Sequence, residues 1–344
     1  IALELDLVDM VVTREELRQW MFEKFPNEEN DKNKFPDSIS IYKYLSTIED
    51  VESDSQNKIA IVNVEGTIVT GEAAYNVAGS DTIVKNIRNA IKDDSVKALV
   101  LRVNSPGGDV WASELITNAL SEFKSSGRPI VTSMGDIAAS GGVWVTTLSD
   151  EILAKEETIT GSIGVYGIIP TLDGIYEWAG IQVDGVSSTK AGEWDERLPM
   201  PEYVTQSIQA SVDNTYDKFV SMVSDNRGMS YREVLSIAGG RIWSGEKALK
   251  LGLVDKIGDL DDAIKSAASF ADLDDYKIVT YSKEMDPFEK FLSELIDNFG
   301  GKLKLSNEAR VFSRIVNSQY KFINPDKKIN TAIYCFECEY FNTK

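Results

Sequence analysis

Residues 128–148 read Arg-Pro-Ile-Val-Thr-Ser-Met-Gly-Asp-Ile-Ala-Ala-Ser-Gly-Gly-Val-Trp-Val-Thr-Thr-Leu. Arg128 to Ser133 has strand character, 135–142 is a run of small residues around Ser140, and Val143 to Leu148 is an apolar run of helical character. A serine on a tight turn between a strand and a helix stands where a nucleophile could stand. The 344 residues include no histidine, so a Ser-His-Asp triad is impossible. If Ser140 attacks, its base is another residue type, and lysine is the known substitute.

The same alternation extends in both directions. Lys58 to Val69 is β-branched and strand-like, with the run ending near Gly66. Helical spacing follows over 81–95 (Ile83, Ile87, Ala90, Ile91), then a continuous apolar strand from Lys97 to Val103. Val110 to Phe123 returns to helical spacing, and Ile152 to Ala154 is a short strand. Residues 201–235 read as a long helix and its continuation, and 284–299 as an amphipathic helix packed against the domain. Strands apolar on both faces, alternating with helices, predict an α/β fold with a mostly parallel sheet.

Composition sets the outer limits. Apolar residues make up 42% and charged residues 26%, as in a soluble globular chain. A net charge of −19 leaves no basic patch to neutralise phosphates and argues against a nucleic-acid partner. Cys335 and Cys338 form one Cys-x-x-Cys, and no further Cys or His could complete a zinc site, so a local disulfide or two thiols is expected and no metal. No apolar run reaches the roughly 18 residues of a membrane-spanning helix. The first residue is Ile1, and the expectation is a fragment whose targeting segment or membrane anchor lies upstream.

An internal repeat supports that expectation. Residues 2–9 (ALELDLVD) and 248–255 (ALKLGLVD) agree at six of eight positions, 246 residues apart. A helix start with capping-box residues follows each copy, Thr13 with Glu16 and Asp259 with Asp262. Two tandem copies of one domain would produce this pattern, the first represented by its tail alone. The expected organisation is therefore 1–25 as the tail of a preceding repeat, 26–56 as a polar linker carrying Pro26 and Pro36, 57–270 as the main domain, and 271–344 as a helical C-terminal extension and tail.

Three glycine-rich turns follow strands in order: Asn104-Ser-Pro-Gly-Gly108, the Ser140 turn, and Thr160-Gly-Ser-Ile-Gly164. Acyl transfer needs backbone N–H groups aimed at a developing oxyanion, and glycine lets the chain come that close. Gly107 and Gly108 precede a helix whose dipole favours negative charge, and Gly141 could supply a second donor. Each turn alone is weak evidence, since a glycine after a strand is usually just a turn. Three in this order, with a serine in the middle one, is more specific.

These motifs, together with Asp136-Ile-Ala-Ala-Ser-Gly-Gly-Val-Trp144 and Gly252-Leu-Val-Asp255, resemble the signal peptide peptidase A (protease IV) family of the ClpP/crotonase superfamily. The likeness is strong over roughly residues 57–270 and most resembles the C-terminal half of the long, two-repeat form. It implies a repeated β-β-α superhelix and a serine endopeptidase that degrades cleaved signal peptides or similar apolar peptides through an acyl-enzyme, without a cofactor. By resemblance Ser140 is the nucleophile, Gly107, Gly108 and Gly141 are candidates for the oxyanion hole, and Ser162 matches a serine that helps hold the catalytic lysine.

The lysine is open between two readings. In the long form it comes from the N-terminal repeat. In the short form it lies well downstream of the serine, where Lys190 in Ser-Thr-Lys-Ala-Gly (188–192) stands in this chain. Lys190 is then the base, serving its own or a neighbouring subunit, or it is a solvated loop lysine and the base lies upstream of Ile1. The base must be neutral to act, and the acidic Glu193, Asp195 and Glu196 oppose that if they lie close. The resemblance also implies peptide substrates, a homo-oligomer (a tetramer for the long form), and attachment to the bacterial inner membrane with the protease domains facing the periplasm. Two rival readings remain: a crotonase-like acyl-CoA enzyme, which offers no account of Ala-Ala-Ser-Gly-Gly, and a non-catalytic repeat serving as an assembly scaffold.

Overall fold

Matching capping boxes open the two helices that the repeat singled out. Thr13 accepts from the Glu16 N–H, and the Glu16 carboxylate accepts from the Thr13 N–H at 2.7 Å, starting α1 (Arg14–Lys24). Asp259 and Asp262 make the same exchange at the start of the helix Leu260–Phe270. The computed structural model describes residues 2–26, 38–41, 44, 47, 54–72, 77–282 and 332–334. The chain divides into two compact units, Ile1–Glu52, which holds α1, and Ser53–Lys344.

The second unit follows the predicted alternation. Its elements in order are β1 (Lys58–Glu65), β2 (Thr67–Val69), β3 (Val77–Gly79), α2 (Ser80–Lys92), β4 (Val96–Ser105), β5 (Gly107–Asp109), α3 (Val110–Ser125) and β6 (Ile130–Ala139). Then come α4 (Gly141–Thr146), β7 (Glu151–Ala154), β8 (Ile159–Gly161), α5 (Asp173–Trp178), α6 (Glu202–Arg227), α7 (Tyr231–Ile237), β9 (Ile242–Ser244) and α8 (Gly245–Leu251). β10 (Lys256–Ile257), α9 (Leu260–Phe270), β11 (Lys277–Tyr281) and β12 (Ala332–Tyr334) complete the described elements.

The main sheet runs β10-β7-β6-β4-β1-β11, and each neighbouring pair is parallel. Alternate residues of its strands feed two cores, which is why the sequence shows continuous apolar runs. Val62, Leu99 and Leu101 pack with Ile87, Leu120 and Phe219 from α2, α3 and α6. Ile59, Ala98, Val100 and Val131 pack on the opposite face with Ala263, Ile264 and Ala267 of α9. A smaller sheet, β12-β5-β2-β3, stands beside it.

Three differences from the sequence reading have clear causes. β6 does not stop at Ser133. It pairs with β7 through Val131–Ser133 and with β8 through Ile137–Ala139, carrying the strand up to Ser140. The register against β4 shifts between Val103 and Ser105 at this changeover. Gly135 sits there, where a β-carbon would lie 2.8 Å from Asn104 Oδ1. Second, the long helix breaks at Gly228, and Ser230 restarts it with a capping box to Glu233. Third, the sheet continues beyond residue 270, because Lys277–Tyr281 adds to β1 as an edge strand. The expected helix over 284–299 and the Cys335–Cys338 pair lie outside the described residues.

Candidate active site

Ser140 sits between the end of β6 and the start of α4, with φ 54° and ψ −115°. A non-glycine residue in that region carries strain of about 1–3 kcal/mol, which the surrounding structure must impose. The restraints are visible. Its N–H donates to the Gly161 carbonyl at 2.9 Å, and its carbonyl accepts from the Trp144 N–H at 2.9 Å. The residue is fully buried, and its Oγ has no hydrogen-bond partner. A strained strand-to-helix turn that presents an unengaged hydroxyl is the geometry of a nucleophile elbow.

The first glycine turn packs directly on this elbow. A β-carbon on Gly141 would lie 3.1 Å from the Gly108 nitrogen and 3.2 Å from Gly107 Cα. Gly108 is pinned on its other side, where a β-carbon would meet the Ile68 carbonyl oxygen at 2.0 Å. The Gly107 N–H already donates to Ser105 Oγ at 3.1 Å, so Gly108 and Gly141 are the better pair of oxyanion donors. The N-terminus of α3 is already occupied. Asp109 caps that helix itself, accepting from the Ala112 N–H at 2.7 Å and from Thr70 Oγ1 at 2.9 Å.

The third turn buttresses the second. Ser162 also has a positive φ, 51°, and its N–H donates to the Arg241 carbonyl at 2.6 Å. Thr160 Oγ1 donates to the Ala138 carbonyl at 2.8 Å, tying β8 to the strand that leads into Ser140. A cavity of about 550 Å³ opens beside Ser162, walled by Val165, Tyr166, Gln209, Asp213 and Tyr216. Ser140, Gly107, Gly108, Gly141 and Ser162 are therefore assembled by three neighbouring turns.

Lys190 is placed differently. It starts an exposed single turn, Lys190–Gly192, capped by Thr189, and its carbonyl accepts from Tyr203 OH at 2.5 Å. No hydrogen bond joins it to Ser140, whose Oγ is unpartnered. Of its acidic neighbours, Asp195 is engaged elsewhere. Its hydrogen bonds from the Arg197 side chain and N–H hold its carboxyl down at about 2. The surrounding stretch also exposes Ile168, Ile175, Trp178, Ile181 and Val186.

Several residues play supporting roles that the sequence did not assign. Asn104 accepts from the Ile137 N–H at 3.2 Å, Ser105 holds Gly107, and Thr158 Oγ1 donates to the Gly135 carbonyl at 2.7 Å. Their signal was polar side chains at the ends of otherwise apolar strands. Asp255 of Gly252-Leu-Val-Asp255 proves to be a clasp. It accepts from the Ile152 N–H at 2.8 Å and pairs with both terminal nitrogens of Arg227 at 3.0 and 2.6 Å. Trp144, behind the elbow, is fully buried, packs against Phe219 with ring centroids 4.9 Å apart and planes tilted by 48°, and has an unpartnered Nε1.

Comparison with known proteins places the chain in a family. Residues 122–274, which include Ser140 and Ser162, match the model of peptidase family S49. The chain is 39% identical over 263 residues to Protease 4 of Haemophilus influenzae, covering 76% of this chain and 42% of that protein. It is 34% identical over 318 residues to Protease 4 of Salmonella typhi, covering 92% and 50%. It is 34% identical over 271 residues to "Putative signal peptide peptidase SppA" of Enterococcus faecium, covering 76% and 78%. The chain thus spans about half the length of the two Protease 4 proteins. It belongs to the signal peptide peptidase A (protease IV) family, peptidase family S49.

Proposed function

We propose that Ser140 is the nucleophile of a serine endopeptidase that works with a lysine base on extended apolar peptides, cleaved signal peptides among them. The observation that carries this reading is the Ser140 elbow itself: a positive φ and an unpartnered hydroxyl, packed against Gly108 and Gly141. In the forward step Ser140 Oγ bonds to the scissile carbonyl carbon while its proton passes to a neutral lysine amine. The tetrahedral oxyanion is held by the Gly108 and Gly141 N–H groups. The lysine then protonates the departing amine as the C–N bond breaks, leaving an acyl-Ser140 ester. Water, deprotonated by the same lysine, releases the acid and restores the hydroxyl.

Lys190 is exposed and unbonded to Ser140 within one chain, so the base is Lys190 of a neighbouring copy or a lysine in sequence upstream. Either source requires assembly around Ser140. The apolar side chains exposed between Ile168 and Val186 support an oligomer, for which a tetramer is the reading by family likeness. The same likeness favours attachment to the bacterial inner membrane with the catalytic units on its outer side. Among the described residues no helix is long and apolar enough to cross a membrane.

The test is labelling of Ser140 by a fluorophosphonate probe, read by mass spectrometry, together with peptide turnover. Loss of both in Ser140→Ala is expected, and turnover that survives this change refutes the assignment. Lys190→Ala separates the two base readings, abolishing turnover if Lys190 is the base and sparing it if the base lies upstream.

A further inference from the structure

The cavity beside the third turn has two kinds of wall. Val165 and Val212 are half-buried and apolar, while Ser162, Gln209 and Asp213 bring polar groups to it. Asp213, exposed on α6, is the one charged side chain among the described residues that line the cavity. Gln209 Nε2 donates to it at 2.7 Å, and no cation pairs with it among the described residues. Nearby charges are engaged elsewhere. One turn further along α6, Asp217 accepts from Tyr231 OH at 2.8 Å and Lys218 pairs with Glu114 at 2.9 Å. Arg241, whose carbonyl holds the Ser162 N–H, turns its guanidinium to the Ser236 and Ala238 carbonyls. Tyr166 and Tyr216 add phenol rings to the wall.

This cavity adjoins the elbow. Gly161 pairs with Ala139 in the sheet, its carbonyl takes the Ser140 N–H, and Ser162 follows it into the cavity wall. Ser140 Oγ has no partner, so the lysine that serves it has to arrive from elsewhere. A lysine is an apolar four-carbon stem with a compact ammonium head. The cavity offers apolar wall to the first and a carboxylate to the second.

We propose that this cavity admits the base lysine and that Asp213 is its positioning residue, a counter-ion that draws the ammonium in beside Ser162. The positioning role rests on the reading of Ser140 as a nucleophile served by lysine, while ammonium binding does not. The carboxylate has a cost as well as a use. It favours the charged amine, and only the neutral form can take the Ser140 proton. The ammonium first gives one proton to solvent, and the free amine then accepts the Ser140 proton as Oγ bonds to the substrate carbonyl. Asp213 thereby sets the pH at which the reaction switches on.

The test uses the chain of 344 residues carrying Lys190→Ala, which has neither candidate base and leaves the cavity open to a small stand-in. Propylammonium chloride is titrated against protein isotope-labelled at glycine nitrogens, with the Gly164, Gly239 and Gly240 N–H signals as reporters in the cavity wall. Saturable shifts are expected, with affinity about fivefold weaker once Asp213→Asn is added, and no shifts with n-propanol. Asparagine keeps an acceptor for Gln209, so the helix is preserved, and Asp213→Glu should retain the affinity. Ser140 labelling by a fluorophosphonate probe is then followed against pH, with saturating propylamine as the base. Fivefold weaker binding of the charged form alone places the acidic limb about 0.7 pH unit lower in Asp213→Asn, with the Asp213→Glu limb unmoved. Equal affinity in the aspartate and asparagine chains, or propanol shifts as large as those of propylammonium, overturns the ammonium site. Weaker binding with an unmoved limb overturns the positioning role. If propylamine brings no labelling in any version, the lysine-served reading of Ser140 fails, and the titration alone decides the ammonium site.

Discussion

At Ser140 two unfavourable terms coincide, a left-handed backbone and a buried hydroxyl without a partner. Ser140→Ala removes the second, and Ser140→Gly removes both. Urea denaturation is expected to rank the proteins wild type, then Ser140→Ala, then Ser140→Gly, in steps of about 1 kcal/mol. A glycine variant no more stable than the alanine one would refute the strain. Ser105→Ala tests the other turn. It frees the Gly107 N–H that Ser105 Oγ now engages, at about 1 kcal/mol of stability, and labelling of Ser140 should slow as the glycine turn loosens. The serine and its three turns were legible from the sequence because small residues after strands are a local pattern. The role of Ser105 was not, since it depends on the chain folding back onto a side chain two residues away.

Among the elements, Asp255 fastens two that are distant in sequence, the end of α6 through Arg227 and the start of β7 through the Ile152 N–H. The Arg227 side chain is only 9% exposed, so deleting its partner leaves a largely buried charge and an unsatisfied N–H. Asp255→Ala should destabilise by about 2–4 kcal/mol in denaturant melts. Asp255→Asn should recover part of that loss by keeping an acceptor for Ile152. Neither change touches the elbow, so Ser140 labelling in the folded fraction should persist. The helices and central strands were legible because their apolar periods are long. β11 escaped because its five residues alternate between half-buried and exposed positions, which marks an edge strand only once β1 is there to receive it.

For the molecule as a whole, the sheet edge at β1 and β11 carries a pH-sensitive cluster. Asp93 accepts from the Ser95 N–H and hydroxyl, from Lys58 Nζ at 2.9 Å and from Tyr281 OH at 3.1 Å. The Ser95 hydrogen bond, followed by that from Lys58, holds its carboxyl well below the usual range. A depressed folded pKa contributes stability above the unfolded value near about 3.9, lost as pH falls further. The stability gap between wild type and Asp93→Asn should therefore narrow as pH drops from about 5 to 2. Tyr281 works at the other limit. Burial, and then its bond to Asp93, pushes its phenol up to about 12. A raised folded pKa contributes stability below the unfolded value near about 10, lost as pH climbs toward 12. Tyr281→Phe should flatten that alkaline limb, measured by thermal melts across the range.

The tension at Ser140 also bears on how sequences of this kind change over generations. The fold does not need that hydroxyl, and glycine fits its backbone with less strain. Selection for stability alone would replace the serine, so on the proposed reading selection for chemistry keeps it there. Where a related chain has alanine or glycine at this place, the expectation is an intact and somewhat sturdier protein that has been released from catalytic duty. In this lineage, loss of activity should come long before loss of the fold.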